Sequence, residues 1–246
     1  MKKIITSLVF LLFVGIELLA YDYQAIYSNQ TAIFDGGTLQ GMKIDSVKVL
    51  ENDSVFYPLK RILHDGSYCY TPYGASWLGE KIIISANWNN FINKNDTIRI
   101  KTDAVLGESW IVDEGLISKM VAKVTSHKIE SFLGLEDSVK TISFQAYDLN
   151  NVPIDRNLMN NKTLKISKNY GIIQGFDFLP QIQPVLHNIY QEYTLAGLSN
   201  PKAGIQNITW FDIWDFQPGD ELHIYEREIS CIIRLKPTHR NRKKPC

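Results

Sequence analysis

The feature that most constrains this chain is its rhythm: short β-branched runs closed by Gly, Asn or Asp clusters, with no capped amphipathic helical stretch before residue 205. The rhythm is clearest from Gly107 to Asp148. Glu108-Ser109-Trp110 opens a strand, Asp113-Glu114-Gly115 turns it, and Lys119 to Ile129 runs back. Gly134 to Asp137 turns again, and Val139 to Tyr147 follows with Val139, Ile142, Phe144 and Ala146 apolar. Alternation of apolar and polar residues marks half-buried strands, and turns this closely spaced leave no room for crossover helices. The pattern therefore predicts an antiparallel meander rather than a βαβ array.

The remaining segments read the same way. Gln24 to Phe34 is a first strand, Asp35-Gly36-Gly37 a turn, and Met42 to Leu50 a second strand in which Ile44 falls off the period of Val47 and Val49. Val55 to Leu63, Lys81 to Ala86 and Thr97 to Thr102 are further strands, whereas Asn87 to Asn95 reads as a polar loop around Trp88 and Phe91. Leu164 to Leu179 and Asp212 to Glu221 share an aromatic-aspartate-aromatic step, Phe176-Asp177-Phe178 and Trp214-Asp215-Phe216. Alternation predicts that those aromatics face the core and that Asp177 and Asp215 turn outward. Asn207 to Phe216, with Asn207 or Thr209 as cap, is the single helix candidate. The expected fold class is all-β, mainly antiparallel, a half-barrel or sandwich, with one short helix near the C-terminus.

Residues 1 to 20 have the layout of a secretory signal: Lys2-Lys3, an apolar run from Ile4 to Ile16, and Ala20 before Tyr21. The run is too short for a comfortable membrane span, and no second one follows, so no transmembrane span is expected in the mature chain. Residues 21 to 226 then form a single β-rich domain. Residues 227 to 246 carry a net +6, seven basic residues against Glu228, and read as a basic tail that is disordered or a truncated end. No aromatic is interleaved with its charges to stack a base, so nucleic acid is not an expected partner. The cysteines, Cys69, Cys231 and Cys246, are odd in number and define no disulfide framework.

Side chains with chemical potential are scattered. The histidines, 64, 127, 187, 223 and 239, form no metal-ligand spacing, and no phosphate loop occurs, so neither a metal nor another cofactor is expected. Gly74 to Gly79 has one residue too many for a nucleophile elbow around Ser76. Asp148 to Asn151 lacks calcium-loop spacing and reads as an Asx turn. No catalytic residue is assigned. Asp177, Asp212, Asp215, Asp220 and Glu221 are the carboxylates from which a glycan-active enzyme would draw a pair. The aromatic segment Asp65 to Gly79 offers Tyr68, Tyr70, Tyr73 and Trp77 as a candidate ligand-binding platform, because flat rings give large contact area at low entropic cost. The competing reading is that these rings cover one end of a β core.

The segments GESWIVDEG, SVKTISFQAYD, SKNYGIIQGFDF, YTLAGL and DIWDFQPGDELH together resemble a group of uncharacterised exported β-rich proteins of Gram-negative bacteria. The resemblance spans roughly residues 24 to 226. In that group the β domain often precedes a C-terminal type IX secretion sorting domain, and this chain has none after Tyr225. The resemblance implies export to the periplasm, cell surface or medium and carries no activity with it. A looser likeness, of fold alone, is to half-barrel exported proteins related to lipoprotein carriers. The expected function is a non-enzymatic binding or scaffolding module with an envelope or extracellular ligand. The alternatives are a carrier holding an apolar ligand in a half-barrel cavity and the glycan-active enzyme.

Overall fold

A computed structural model describes residues 23–60, 62–64, 70–72, 75–94, 96–160, 162–177 and 191–206. Residues 1 to 20 with the expected signal layout, the helix candidate at 207–216, the basic tail and all three cysteines lie outside them. The chain divides into two units, Met1–Lys60 with Gly74–Gln206, and Arg61–Tyr73 with Asn207–Cys246. In the second, the described part is a two-stranded antiparallel pair, β4 (Ile62–His64) and β5 (Tyr70–Pro72).

The first unit is all-β. Its strands are β1 (Thr31–Asp35), β2 (Leu39–Val49), β3 (Asp53–Pro58), β6 (Lys81–Ser85), β7 (Trp88–Asn93) and β8 (Asp96–Lys101), then β9 (Ser109–Glu114), β10 (Ser118–Phe132), β11 (Leu135–Asp148), β12 (Thr163–Ser167), β13 (Gly171–Phe176), β14 (Glu192–Ser199) and β15 (Lys202–Gly204). They form one antiparallel sheet in the order β8-β7-β6-β3-β2-β1-β14-β13-β12-β11-β10-β9, with β15 beside β14. The two ends of that order approach each other. The Trp110 indole on β9 donates to the Arg99 carbonyl on β8 at 2.9 Å, and Lys101 pairs with Glu108 across the connection. The all-β antiparallel class is as the sequence predicts, and the sheet closes further than a half-barrel, into a nearly closed, barrel-like wrap. Among the described residues there is no helix, and none long and apolar enough to cross a membrane.

β2 explains an irregularity in the sequence. Its first half pairs with β1 and its second with β3, and the register slips between Ile44 and Ser46. A bulge adds one residue and so exchanges the faces of the strand. Met42 and Ile44 point into the core before it; after it Val47, 41% exposed, shares a face with Phe56, which packs against the core. Ile44 is out of phase with Val47 and Val49 for that reason.

Two expectations fail. The Asn87 to Asn95 segment is not a loop, because Trp88–Asn93 is β7, with Asn89, Phe91 and Asn93 all buried on its inner face. Asparagine disfavours strands on average, and this inward one is half satisfied: the Asn89 Oδ1 accepts from the Ala25 N–H at 3.3 Å, whereas its Nδ2 has no partner among the described residues. Asp177 does not turn outward. It is buried beside Phe176, at the end of β13, where its N–H donates to the Gln191 carbonyl.

The interior is filled by side chains from both halves of the wrap, among them Phe34, Phe91, Ile98, Ile142, Phe176 and Tyr193. Residues 23 to 30, ahead of β1, run between the halves. The Ala25 carbonyl accepts from the Ile172 N–H on β13, the Ala25 N–H donates to Asn89 on β7, and Ala25 and Ile26 are fully buried.

Candidate functional site

The aromatic segment is divided by the structure. Trp77 belongs to the first unit and is a core residue, 2% exposed, its ring 5.1 Å from Phe34 edge-on and 4.8 Å from Tyr193. Fully buried Leu78 follows it, and the Ser76 hydroxyl holds the turn by donating to the Gly79 carbonyl and accepting from the Leu78 N–H. Ser76 is therefore a turn residue and not a nucleophile. Tyr70 lies on β5 of the second unit, opposite His64. Tyr68 and Tyr73 lie outside the described residues, as do Asp212, Asp215, Asp220 and Glu221. The Asx turn is as expected, with one Asp148 carboxylate oxygen accepting from the Asn150 and Val152 N–H groups.

The polar cluster that the structure does assemble is elsewhere. In the β10–β11 ribbon His127 stands directly opposite Lys140, and Ile129 opposite Ser138, so His127, Ser138 and Lys140 share one face. Tyr23 drops onto that face. Its hydroxyl donates to the Ser138 Oγ at 2.7 Å and lies 2.9 Å from the His127 Nε2, which is itself 3.1 Å from the Ser138 Oγ. The Tyr23 and His127 rings meet edge to face at 5.7 Å. Over the face of Tyr23 the Lys140 Nζ sits 4.2 Å from the ring centroid and donates to the Thr102 carbonyl at 2.8 Å. His127 is exposed, whereas Tyr23 and Lys140 are buried, so the cluster has a wet rim and a dry floor.

That layering sets the electrostatics. Burial pushes the Lys140 ammonium below its usual range, and Asp103 and Glu108 offset part of the shift. Packing against the Tyr23 ring partly desolvates the otherwise exposed His127 and lowers it, and the Lys140 charge lowers it further. Burial raises the Tyr23 phenol; the bond to Ser138 opposes this and the Asp137 charge adds to it. At the seam between β8 and β9, the hydrogen bond between Lys101 and Glu108 raises the lysine and lowers the carboxylate.

A serine beside a histidine nitrogen is the start of an acyl-transfer set, but this pair lacks the rest. Among the described residues no carboxylate holds the other ring nitrogen of His127, so nothing fixes its tautomer. Asp137, next to Ser138 in sequence, faces the opposite side of the strand. There its carboxylate accepts from the Ser167 hydroxyl and from the Asn169 backbone N–H at 2.8 Å and side-chain amide at 2.9 Å. Tyr23 also donates to the Ser138 Oγ, which withdraws electron density from the would-be nucleophile. The geometry suits a clasp between an N-terminal segment and a β-ribbon.

Sequence reasoning missed this cluster because each member is a lone residue. A two-residue turn at Leu133-Gly134 makes His127 and Lys140 equidistant from it and hence cross-strand neighbours. Placing the turn at 134 to 137 concealed that pairing. No family model matches the chain, and no curated protein or solved structure matches it.

Proposed function

We propose that this protein is an exported, non-enzymatic binding or scaffolding module of the bacterial cell envelope, acting in the periplasm, at the cell surface or in the medium. Export is supported by the charged, apolar and small-residue order of residues 1 to 20 and by the resemblance carried by residues 24 to 226. The observation that carries the module reading is the filled interior: Phe34, Trp77, Phe91 and Tyr193 occupy the space between the halves of the wrap that a carrier would keep for its cargo. Native interiors pack at close to crystal density, so a ligand there would have to displace side chains. Recognition is therefore assigned away from the core, with Tyr68, Tyr70 and Tyr73 as the aromatic residues that the sequence offers to a sugar or peptide, and Trp77 as part of the core.

Native mass spectrometry of the protein recovered from the periplasm tests this reading, with the denatured mass of the same sample beside it. The expected result is a native mass equal to the bare polypeptide and a denatured mass that starts at or near Tyr21. A mass excess that disappears on denaturation would replace the module with a carrier. A denatured mass retaining residues 1 to 20 would overturn export.

A further inference from the structure

Residues 23 to 30 are held like a strap. At the middle, Ala25 bonds to β7 on one side and β13 on the other. Toward β1, the Tyr27 hydroxyl donates to the Lys168 carbonyl and the Gln30 amide donates to the Tyr170 carbonyl at 2.9 Å, both on the β12–β13 turn. Gly171, which opens β13 after that turn, has a φ of 78°, and a Cβ there would lie 2.7 Å from the Ala25 carbonyl oxygen, so the strap and the start of β13 are fitted to each other. These are bonds to backbone groups and do not titrate. The N-terminal end is different, because among the described residues Tyr23 is fastened through its side chain, to the Ser138 hydroxyl and to an imidazole open to solvent.

We propose that His127 is a pH-responsive clasp for this strap: protonation of its ring loosens Tyr23 from the β10–β11 ribbon and frees the N-terminal end of the segment, while the barrel stays folded. The groups that face His127 decide the sign. From β11, directly across the ribbon, comes the Lys140 ammonium; from the strap comes the Tyr23 phenol, whose ring face carries the Lys140 Nζ; Ser138 is neutral. The carboxylates of the neighbourhood are turned elsewhere. Glu108 is engaged with Lys101, Asp103 with the Asn87 amide, Asp137 with Ser167 and Asn169, and Glu130, on the opposite face of β10, with Lys165. A second positive charge on the rim thus meets the Lys140 cation from directly across the ribbon, and among the described residues no carboxylate is bonded to the His127 ring.

Linkage follows. The folded-state pKa of His127 is lowered, so the clasped state binds fewer protons than the open one. Stability of the clasp is complete above the ordinary value of 6.5 and declines as pH falls from there through the folded pKa. Each unit of depression is worth about tenfold in the opening equilibrium.

Hydrogen exchange of the full chain, corrected for the intrinsic pH dependence of exchange, reads the clasp directly. On acidification from about pH 7.5 to about pH 5 the peptide covering residues 23 to 27 should lose protection by a factor of several, while β11 and β12 keep theirs. His127→Gln keeps a polar contact without a titrating ring and should abolish the step. Lys140→Met removes the facing charge and should move the step toward higher pH. An unchanged step in His127→Gln would overturn the assignment, as would equal loss across β11 and β12 or no acid step in the wild type. The assay does not depend on ligand or compartment, so it can fail while the module reading stands.

Discussion

Tyr23 shows how one hydroxyl can tie the segment ahead of β1 to a ribbon more than a hundred residues away. Its phenol makes one clear donation, to Ser138, and its ring carries the Lys140 cation on its face. Tyr23→Phe keeps the ring and its contacts but removes the donor. Because Ser138 and His127 reach solvent and can rebond to water, the loss should be a single net hydrogen bond, about 1 kcal/mol, read as a lower urea midpoint with an unchanged m-value. Lys140 is the more unusual residue. An ammonium 5% exposed, with a carbonyl and a ring as partners, is costly, and it persists because it links β11 to the β8–β9 connection where the sheet comes round on itself.

At the scale of elements, the β10–β11 ribbon is the organiser. It is the longest hairpin of the described residues, and its tip is a two-residue turn with Leu133 at φ 52° and Gly134 at φ 76°. Two successive positive φ values define a turn whose twist matches that of the strands. A Cβ on Gly134 would meet nothing within 4 Å, so Gly134→Ala tests backbone conformation alone. It should cost about 1 kcal/mol, measured as a fall in melting temperature, with the strand content by circular dichroism unchanged. A much larger loss would mean that the turn sets the His127–Lys140 register and with it the clasp. Exposed aliphatic residues collect at the other end of the ribbon. Leu116 and Ile117, 95% and 81% exposed, lie in the β9–β10 turn, and Leu149 lies beyond β11, near them because Ser118 pairs with Asp148.

At the scale of the whole molecule, the first unit wraps a single sheet around one continuous core. Trp77 decides between two views of the aromatic segment. A platform residue would be removed at little cost to stability, whereas a core indole packed on Phe34 and Tyr193 leaves a large void. Trp77→Ala should destabilise by about 3–5 kcal/mol in urea unfolding, and a variant as stable as the wild type would return Trp77 to a ligand surface.

What the sequence by itself determined is the fold class. Period-two alternation in residues such as Phe144 and Ala146, and turn residues at Gly134 and Asp148, are local signals that depend on nothing distant, so the antiparallel meander was legible before any coordinates. The sign of Ile44 against Val47 was legible only as an anomaly, since a bulge is defined by the partner strand. The tertiary structure alone decided the strand order, the inward turn of Asn89 and Asp177, the burial of Trp77, and the meeting of Tyr23, His127, Ser138 and Lys140. Each of these depends on which distant segment supplies the other side of a contact. A lone histidine or lysine carries no mark of that in sequence, because pairing across a sheet is a matter of register and closure, and neither is written in any one strand.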